Sequence, residues 1–343
     1  MALTLLPYAY AGNISSAFQV YDPGFLNITG AHPTISILLS NTTAFAHEGP
    51  VYLPTTNTLY MTSNILTDPT TNQTTIQISK VDLDAHPLTA EIVRPSPPIP
   101  NPNGGIAYGD GILYCGLGNF TDPAGLYVMS LAAATTTNNE SAQGSYATTP
   151  LLTSFYSRPF NSPNDVVVHP TDGGIYFTDP TYGSIQGLRP APQLPNQVYR
   201  FDPVSGNVRV VADGFVKPNG LSFSPDGRVL YVTDTGYALG NGSFDPLMPA
   251  TIYAYDVSLI HNQPALTHRR VFVMADNGVP DGIKVDAQGN VYAGCGDGVN
   301  VWSSGGVLLG KILVEGGVAN FAFGRTGEMF LMAEERIYHV MFN

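Results

Sequence analysis

The sequence predicts an all-β fold, a six-bladed β-propeller, on the basis of a repeat, its turns and the composition. A polar or acidic residue, a short alternating strand, a turn and a second strand recur in this order six times along the 343 residues. Turns such as Pro225-Asp226-Gly227 combine residues that initiate turns with residues that tolerate positive φ. The 36 Gly, 28 Pro and 10% aromatic residues are typical of short strands joined by many turns.

The six copies of the repeat are spread over the chain from residue 48 to the C-terminus. A period of roughly 40–50 residues with paired strands is typical of propeller blades, each a four-stranded sheet beside a central channel. Four of the five intervals are longer, which we attribute to loop insertions. In chain order, the copies begin at Glu48-Gly49-Pro50, Gly104-Gly105-Ile106, Asn164-Asp165-Val166, Asn219-Gly220-Leu221, Asp281-Gly282-Ile283 and Ala319-Asn320-Phe321.

The even spread of the repeat predicts one closed ring, so residues 1–343 are expected to form a single domain. Residues 1–45 precede the first copy, and we expect them to pack on the ring or to close it with an outer strand. No segment has a sustained apolar period of 3.6 residues, so helices should be few. A β-sandwich or two separate β domains is the alternative.

The charge distribution argues against two classes of partner. The formal net charge is −12, and no basic cluster exceeds Arg269-Arg270. Nucleic acids and anionic membranes are bound by surfaces rich in Lys and Arg. No apolar run approaches the roughly 20 residues of a membrane-spanning helix. We therefore expect neither partner, and the sequence leaves the oligomeric state undefined.

Seven Asn-x-Ser/Thr sequons suggest a secreted glycoprotein, because such motifs accept glycans only in a secretory context. A cytoplasmic location is the alternative, since a chain rich in Asn, Ser and Thr produces several sequons by chance. The sequons begin at Asn13, Asn27, Asn41, Asn72, Asn119, Asn139 and Asn241.

Four of the six copies begin with an oxygen-bearing side chain: Glu48, Asn164, Asn219 and Asp281. The first strand of each blade lines the channel, so these residues are expected to converge at one mouth. Two carboxylates and two amide oxygens form a set suited to a hard divalent cation such as Ca²⁺. Mg²⁺, Mn²⁺ and Zn²⁺ are the alternative cations for this site. Ordinary turn formation explains any one Asn-Gly, Asn-Asp or Asp-Gly pair, but four oxygen-bearing residues at equivalent positions of the repeat, one of them a glutamate, favour a site.

The same residues resemble those of a known family. Glu48-Gly49-Pro50, Asn164-Asp165, Pro218-Asn219-Gly220-Leu221 and Pro280-Asp281-Gly282 look like the signature of the gluconolactonase, regucalcin and luciferin-regenerating-enzyme family. The resemblance extends from about residue 45 to the C-terminus. It implies a six-bladed propeller with one divalent cation, usually calcium, at the channel mouth. It also implies that most members hydrolyse sugar lactones or other lactones.

Carried over residue by residue, the resemblance makes Glu48, Asn219 and Asp281 metal ligands, and Asn164 a contact to metal or substrate. Asp281 also matches the residue proposed as general base. The expected reaction is hydrolysis of a lactone or related ester by water that the cation activates. No Gly-x-Ser-x-Gly motif points to a serine nucleophile. The alternatives are a non-hydrolytic cyclase or isomerase on the same scaffold, and a propeller that only binds.

Five further residues are candidates for the substrate pocket: His47, Ser162, Asp179, Tyr182 and Tyr237. His47 would shuttle protons or pack, Asp179 would orient ligands or cap a turn, and Tyr182 would wall the pocket. Ser162 stands where some sugar lactonases carry Arg. With apolar residues in the insertion at 184–197, this substitution predicts a neutral, fairly apolar small-molecule lactone rather than a sugar lactone.

Overall fold

The computed structural model describes residues 12–15, 17–132 and 145–343. Residues 1–11 and 16 of the N-terminal segment, and residues 133–144, lie outside the described residues. The described residues form 30 strands and two short helices, so the all-β prediction is confirmed. Neither of these helices has the length and apolar character needed to cross a membrane.

Most of the strands form groups of four, in which each strand pairs antiparallel with its neighbour in the sheet. The N-terminal elements are β1 (Gly12–Ser15), β2 (Phe18–Val20), α1 (Gly24–Thr29) and β3 (Thr34–Ser40). The first half of the ring then contains β4 (Glu48–Leu53), β5 (Thr58–Thr62), β6 (Leu66–Thr67), β7 (Thr74–Thr75), β8 (Ile78–Asp82), β9 (Ala90–Ser96), β10 (Pro102–Tyr108), β11 (Gly111–Gly116), β12 (Gly125–Ser130), β13 (Ser145–Leu152), β14 (Ser154–Phe155) and β15 (Arg158–Pro159).

The second half of the ring begins after β15 and runs to the end of the chain. Its elements are β16 (Val166–Val168), β17 (Ile175–Asp179), α2 (Tyr182–Ile185), β18 (Gln197–Phe201), β19 (Val208–Ala212), β20 (Pro218–Phe223), β21 (Val229–Asp234), β22 (Thr251–Ile260), β23 (Gln263–Met274), β24 (Ile283–Val285), β25 (Val291–Cys295), β26 (Gly298–Trp302), β27 (Leu308–Leu313), β28 (Asn320–Phe323), β29 (Glu328–Ala333) and β30 (Arg336–Met341).

The sheets differ from six separate four-stranded blades. Among the described residues, three sheets have four strands: β16–β19, β20–β23, and β28–β30 with β3. A six-stranded sheet adds β2 and β1 to β24–β27. An eight-stranded sheet joins two groups of four strands, which we call quartets: β4, β5, β8 and β9 form one, and β10–β13 form the other. The two quartets are joined because their outer strands, β9 and β13, pair in parallel. The sequence pattern could not show this edge pairing, since it falls outside the repeated phrase.

The arrangement is propeller-like. The strands β4, β10, β16, β20, β24 and β28 each contact the next in that order, and β28 contacts β4. Apolar side chains of the described residues form large clusters between successive strand quartets. Fully buried aromatic residues, including Tyr176, Tyr292 and Phe330, belong to these interfaces. Packing of neighbouring sheets face to face therefore replaces a single central core.

The N-terminal segment adds strands to the last two sheets. Strand β3 pairs antiparallel with β30, from Thr34 opposite Met341 to Ser40 opposite Arg336. Strand β2 pairs antiparallel with β27. The chain therefore completes its last sheet with a strand that precedes the first repeat, which ties the two ends of the ring together.

Candidate functional site

One end of the channel opens into a cavity of about 150 Å³. All four residues predicted as metal ligands line it, so the structure brings together side chains from four strand quartets. Its polar wall consists of His47, Glu48, Asn103, Asn164, Asn219 and Asp281. The remaining wall contains Leu117, Tyr182, Gln186, Thr235, Ala238 and Val279.

Local irregularities of the innermost strands direct the polar side chains toward this cavity. The strand register shifts between Glu48 and Val51, and again between Pro218 and Leu221. A third shift lies between Pro102 and Gly105, around Asn103. A β-bulge re-aims side chains and is common beside active sites. The residue that opens each of these strands therefore departs from regular strand alternation.

Close packing requires a glycine after the residue that opens the strand. A Cβ atom on Gly220 would lie 2.4 Å from the Asp281 carbonyl oxygen, and one on Gly104 would lie 2.4 Å from the Asn164 carbonyl oxygen. Gly49 additionally has φ +56°, which disfavours residues with a Cβ. The Glu-Gly and Asn-Gly pairs thus allow the backbones of neighbouring quartets to approach closely around the channel.

A threonine near the end of a second strand supports the next quartet. Thr62 Oγ1 donates to the Asn103 carbonyl oxygen at 3.0 Å. Thr178 Oγ1 donates to that of Asn219 at 2.7 Å, and Thr233 Oγ1 to that of Asp281 at 3.0 Å. These buried hydrogen bonds hold the opening residue of one quartet against its neighbour, so the site's geometry depends on contacts between sheets.

An aspartate directly follows Thr178 and Thr233, and each of these two aspartates supports its own quartet. Asp179 accepts hydrogen bonds from the backbone N–H of Asn161 at 2.9 Å and of Ser162 at 2.7 Å. Asp234 accepts in the same way from Val216 at 3.0 Å and Lys217 at 2.8 Å. Each carboxylate fixes the loop that leads to Asn164 or Asn219, and therefore acts on the cavity only through these loops.

Several buried oxygen atoms around the cavity lack a hydrogen-bond partner among the described residues. They are Oδ1 of Asn164, Oδ1 of Asn219 and Oδ1 of Asp281, together with Oδ2 of Asp165. Leaving a buried polar atom unpaired costs roughly 1–3 kcal/mol. Three unpaired oxygens on one cavity wall are therefore a costly arrangement unless a cation or water satisfies them.

The carboxylates of the site repel one another. Burial and the charges of Asp281 and Asp165 raise the pKa of Glu48 to about 8, despite a hydrogen bond from Asn320 Nδ2 at 2.8 Å. Burial, with Asp165 and Glu334 adding to it, raises the pKa of Asp281 to about 6. Burial also raises the pKa of Asp165. The cavity thus concentrates negative charge that a bound cation would compensate.

His47 lies beside Glu48 and is held by a residue from the last sheet. Its Nδ1 lies 2.6 Å from Glu334 Oε1, and Glu334 Oε2 accepts a hydrogen bond from Asn64 Nδ2 at 3.1 Å. Burial disfavours the charged imidazolium. The hydrogen bond to Glu334 and the charges of Glu334, Glu48 and Asp281 outweigh burial and raise the pKa of His47 to about 9.

Tyr182, another residue expected in the pocket, is placed on the cavity wall, and its hydroxyl is hydrogen-bonded to Thr235 Oγ1. Ser162, Asp179 and Tyr237 are not among the residues that line this cavity, and their place in a substrate pocket stays a prediction. Ser162 is fully buried, and its hydroxyl donates to the Pro180 carbonyl at 2.6 Å. Tyr237 instead packs on Phe244, with ring centroids 5.3 Å apart.

Two residues with a site role were missed. Asn103 lines the cavity and donates through Nδ2 to the Asn164 carbonyl oxygen at 3.1 Å. Asn320 opens the sixth copy and donates to Glu48. The sequence held a signal for Asn103, since Pro102-Asn103-Gly104 matches Pro218-Asn219-Gly220. Aligning the second copy one residue earlier would have found Asn103.

No group of three or more His, Cys, Asp or Glu side chains in the described parts of the chain is arranged to hold a metal ion. Two of the four predicted ligands are asparagines, whose amide oxygens fall outside that set of residue types. The predicted ligand set is therefore one of carboxylate and amide oxygens, and three of these oxygens are buried and unpaired.

The fold and this cavity define a propeller-like protein with a polar site at one channel mouth, and comparisons with known proteins identify the family. Residues 46–333 match the family described as SMP-30/Gluconolactonase/LRE-like region. The chain belongs to this family. It is 32% identical over 317 residues to lactonohydrolase oryL of Aspergillus oryzae, covering 86% of this chain and 67% of that protein.

Two solved structures share the fold. A gluconolactonase of Xanthomonas campestris has a TM-score of 0.74 at 24% identity, covering 97% of this chain and 99% of its own. Regucalcin of Agrobacterium tumefaciens, described as a calcium-binding protein, has a TM-score of 0.59 at 17% identity, covering 88% and 92% respectively. At these identities the similarity establishes the fold alone.

Proposed function

We propose that this protein is a metal-dependent lactonase, a hydrolase that opens a lactone or related ester at the channel mouth. The observation that carries the proposal is the set of buried, unpaired oxygens of Asn164, Asn219 and Asp281 on the wall that also carries Glu48. The family membership and the lactonohydrolase relative support the reaction type.

Glu48, Asn164, Asn219 and Asp281 are the proposed ligands of one divalent cation. An all-oxygen set with two carboxylates suits Ca²⁺, with Mg²⁺ or Mn²⁺ as substitutes. The raised pKa values of Glu48 and Asp281 support this assignment, because a cation would offset the burial and the repulsion that raise them. The calcium-binding neighbour of the same fold is consistent with calcium.

When bound, the cation would supply Lewis-acid polarisation of the lactone carbonyl. The chain's own residues supply the rest. Asp281 is the proposed base that accepts the proton of the attacking water, because its Oδ1 is unpaired and on the cavity wall. Asn164, the second proposed catalytic residue, would act on the substrate through the cation that its unpaired amide oxygen would hold. The Asn320 side chain holds Glu48 in place.

The substrate is proposed to be a neutral, fairly apolar lactone. Leu117, Ala238 and Val279 contribute apolar wall, and no Lys or Arg is among the described residues that line the cavity. Two cationic side chains that contact lining residues are bonded to backbone carbonyls: Arg189 donates to the Leu117 carbonyl at 2.9 Å, and Lys217 Nζ to the Ala238 carbonyl at 3.0 Å.

The insertion predicted to form an apolar wall supports the cavity from behind. Leu188 packs with Leu117 and Ile76, and Leu194 is buried in another cluster, so neither lines the cavity. The insertion reaches the wall through Gln186. The apolar character of the pocket therefore rests on side chains from other loops, with the insertion behind Leu117.

We count six blades in one domain, taking the eight-stranded sheet as two. The cyclic contacts of the six innermost strands support this count. We also propose a secreted, glycosylated protein. Asn27, Asn41, Asn72 and Asn241 are exposed, which supports glycan attachment, whereas the side chain of Asn13 and all of Asn139 lie outside the described residues.

The test is a pH-stat assay of γ- and δ-lactones with the purified protein, in excess calcium and in excess chelator. We expect hydrolysis in calcium that is lost in chelator and recovered when calcium is returned. Bound calcium, measured by elemental analysis, should fall in parallel. Equal activity in chelator, with no metal bound, would overturn the metal-dependent proposal, and binding without turnover would favour the non-enzymatic alternative.

A further inference from the structure

We propose that Glu334 is a positioning residue that turns His47 Nε2 toward the cavity, where His47 hydrogen-bonds the substrate. The proposal rests on the lactonase function proposed above and adds a residue from a different sheet to that site. It is based on the contact between the two side chains, the backbone conformation of Glu334 and the location of His47 on the cavity wall.

The contact fixes one nitrogen of the imidazole. His47 Nδ1 lies 2.6 Å from Glu334 Oε1, a short distance for a hydrogen bond between an imidazole N–H and a carboxylate. Because an ionised carboxylate only accepts hydrogen bonds, Nδ1 must carry the proton. Nε2 has no hydrogen-bond partner among the described residues, and the ring lines the cavity. Nε2 is therefore the atom that remains for a ligand.

The carboxylate is itself held in place. Glu334 Oε2 accepts from Asn64 Nδ2 at 3.1 Å, and the Asn64 carbonyl-type Oδ1 accepts from the Ile65 N–H at 2.7 Å. The backbone of Glu334 forms two hydrogen bonds with Ala46, at 2.9 and 3.0 Å. Glu334 is thus fixed by both its backbone and its side chain against the residues around His47.

Glu334 has a backbone conformation that a glutamate rarely adopts. Its φ is +60°, in the left-handed region, where a residue with a Cβ pays a cost that Gly or Asn largely avoids. Unfavourable backbone conformations of this kind cluster at functional sites. Here, the side chain of Glu334 contacts His47, which lies on the cavity wall.

The pair also joins two sheets. His47 directly precedes β4, the innermost strand of the first quartet, and Glu334 follows β29 in the last sheet. A purely structural clasp at this seam would explain the contact without any role for Nε2. A second pair of the same chemistry, His339 Nε2 with Glu328 Oε1 at 2.7 Å, lies within the last sheet and away from the cavity lining. It provides a matched control.

The experiment measures kcat and KM for δ-hexalactone in saturating calcium with wild type, Glu334→Gln, Glu334→Ala, His47→Gln and Glu328→Gln. We expect Glu334→Ala and His47→Gln each to lower kcat/KM by at least about tenfold. A variant that carries both substitutions should have a kcat/KM no lower than that of either single variant. Glu334→Gln should retain more activity than Glu334→Ala, because an amide oxygen still accepts from Nδ1. Glu328→Gln should match wild type.

Calcium affinity and binding of the ring-opened hydroxy acid are measured by calorimetry on the same proteins. We expect calcium affinity within about twofold of wild type, and weaker hydroxy-acid binding by Glu334→Ala and His47→Gln. This readout needs no turnover, so it tests the pair even if wild type fails to hydrolyse any lactone, the result that defeats the proposed function. Unchanged kinetics and binding in Glu334→Ala, with only a lower Tm, would identify a structural clasp and overturn the inference.

Discussion

Replacing Glu48 with Gln should change stability in opposite directions with and without calcium. The Glu48 carboxylate is 2% exposed and lies with Asp281 and Asp165 in one negatively charged cluster. Glutamine keeps the shape of the side chain and can still accept the hydrogen bond from Asn320 Nδ2. It removes the carboxyl group that the metal-free protein must bury and whose charge the proposed cation would bind.

The sign and size follow from the pKa. The folded-state pKa of Glu48, about 8, lies above its ordinary value of 4.5, so ionisation costs the folded state free energy. This cost is absent below pH 4.5 and grows as the pH rises toward 8. At pH 7 it is on the order of 3 kcal/mol. In chelator, Glu48→Gln should therefore be the more stable protein, and the difference should vanish at low pH.

Calcium should reverse the order. A ligand at about 1,000 times its dissociation constant stabilises the folded state by about 4.1 kcal/mol, which exceeds the advantage of the variant in chelator, and the variant should lose most of this gain. Calorimetric unfolding at pH 7, in chelator and in calcium, measures both effects. Glu328→Gln is the control and should respond to calcium as wild type does. A variant less stable than wild type in chelator, or a wild type indifferent to calcium, would refute the reasoning.

Three further predictions concern the site. Asp281→Asn should lower kcat/KM by about 100-fold or more while the far-ultraviolet circular dichroism is unchanged, and retained activity would remove Asp281 as the base. Gly49→Ala should destabilise the protein by about 2 kcal/mol or more, because φ is +56° and the new Cβ would lie 2.5 Å from the Asn103 carbonyl oxygen; an unchanged urea midpoint would contradict this. The kcat/KM for δ-hexalactone should exceed that for gluconolactone by about tenfold, and the reverse preference would argue against an apolar pocket.

The repeated phrase predicted the all-β class, the innermost strands and the residues that open them. It could do so because strand alternation, turn residues and the Glu-Gly, Asn-Gly and Asp-Gly pairs are local features, repeated wherever the same local geometry recurs. Glu48, Asn164, Asn219 and Asp281 are far apart in the chain, yet equal phase within the repeat placed them on one wall. Asn103 was missed only because its copy was aligned one residue late.

Tertiary structure decided what depends on contacts between sheets. The parallel pairing of β9 with β13 merges two quartets, and strand β3 completes the last sheet, because edge strands pair with whichever edge lies nearest in space. Ser162 and Asp179 were predicted as pocket residues from the sequence, and the structure shows their hydrogen bonds, which hold the loop before Asn164. The contact between His47 and Glu334 joins residues 287 positions apart. No local pattern encodes such a pair, since it exists only once the first and last sheets meet.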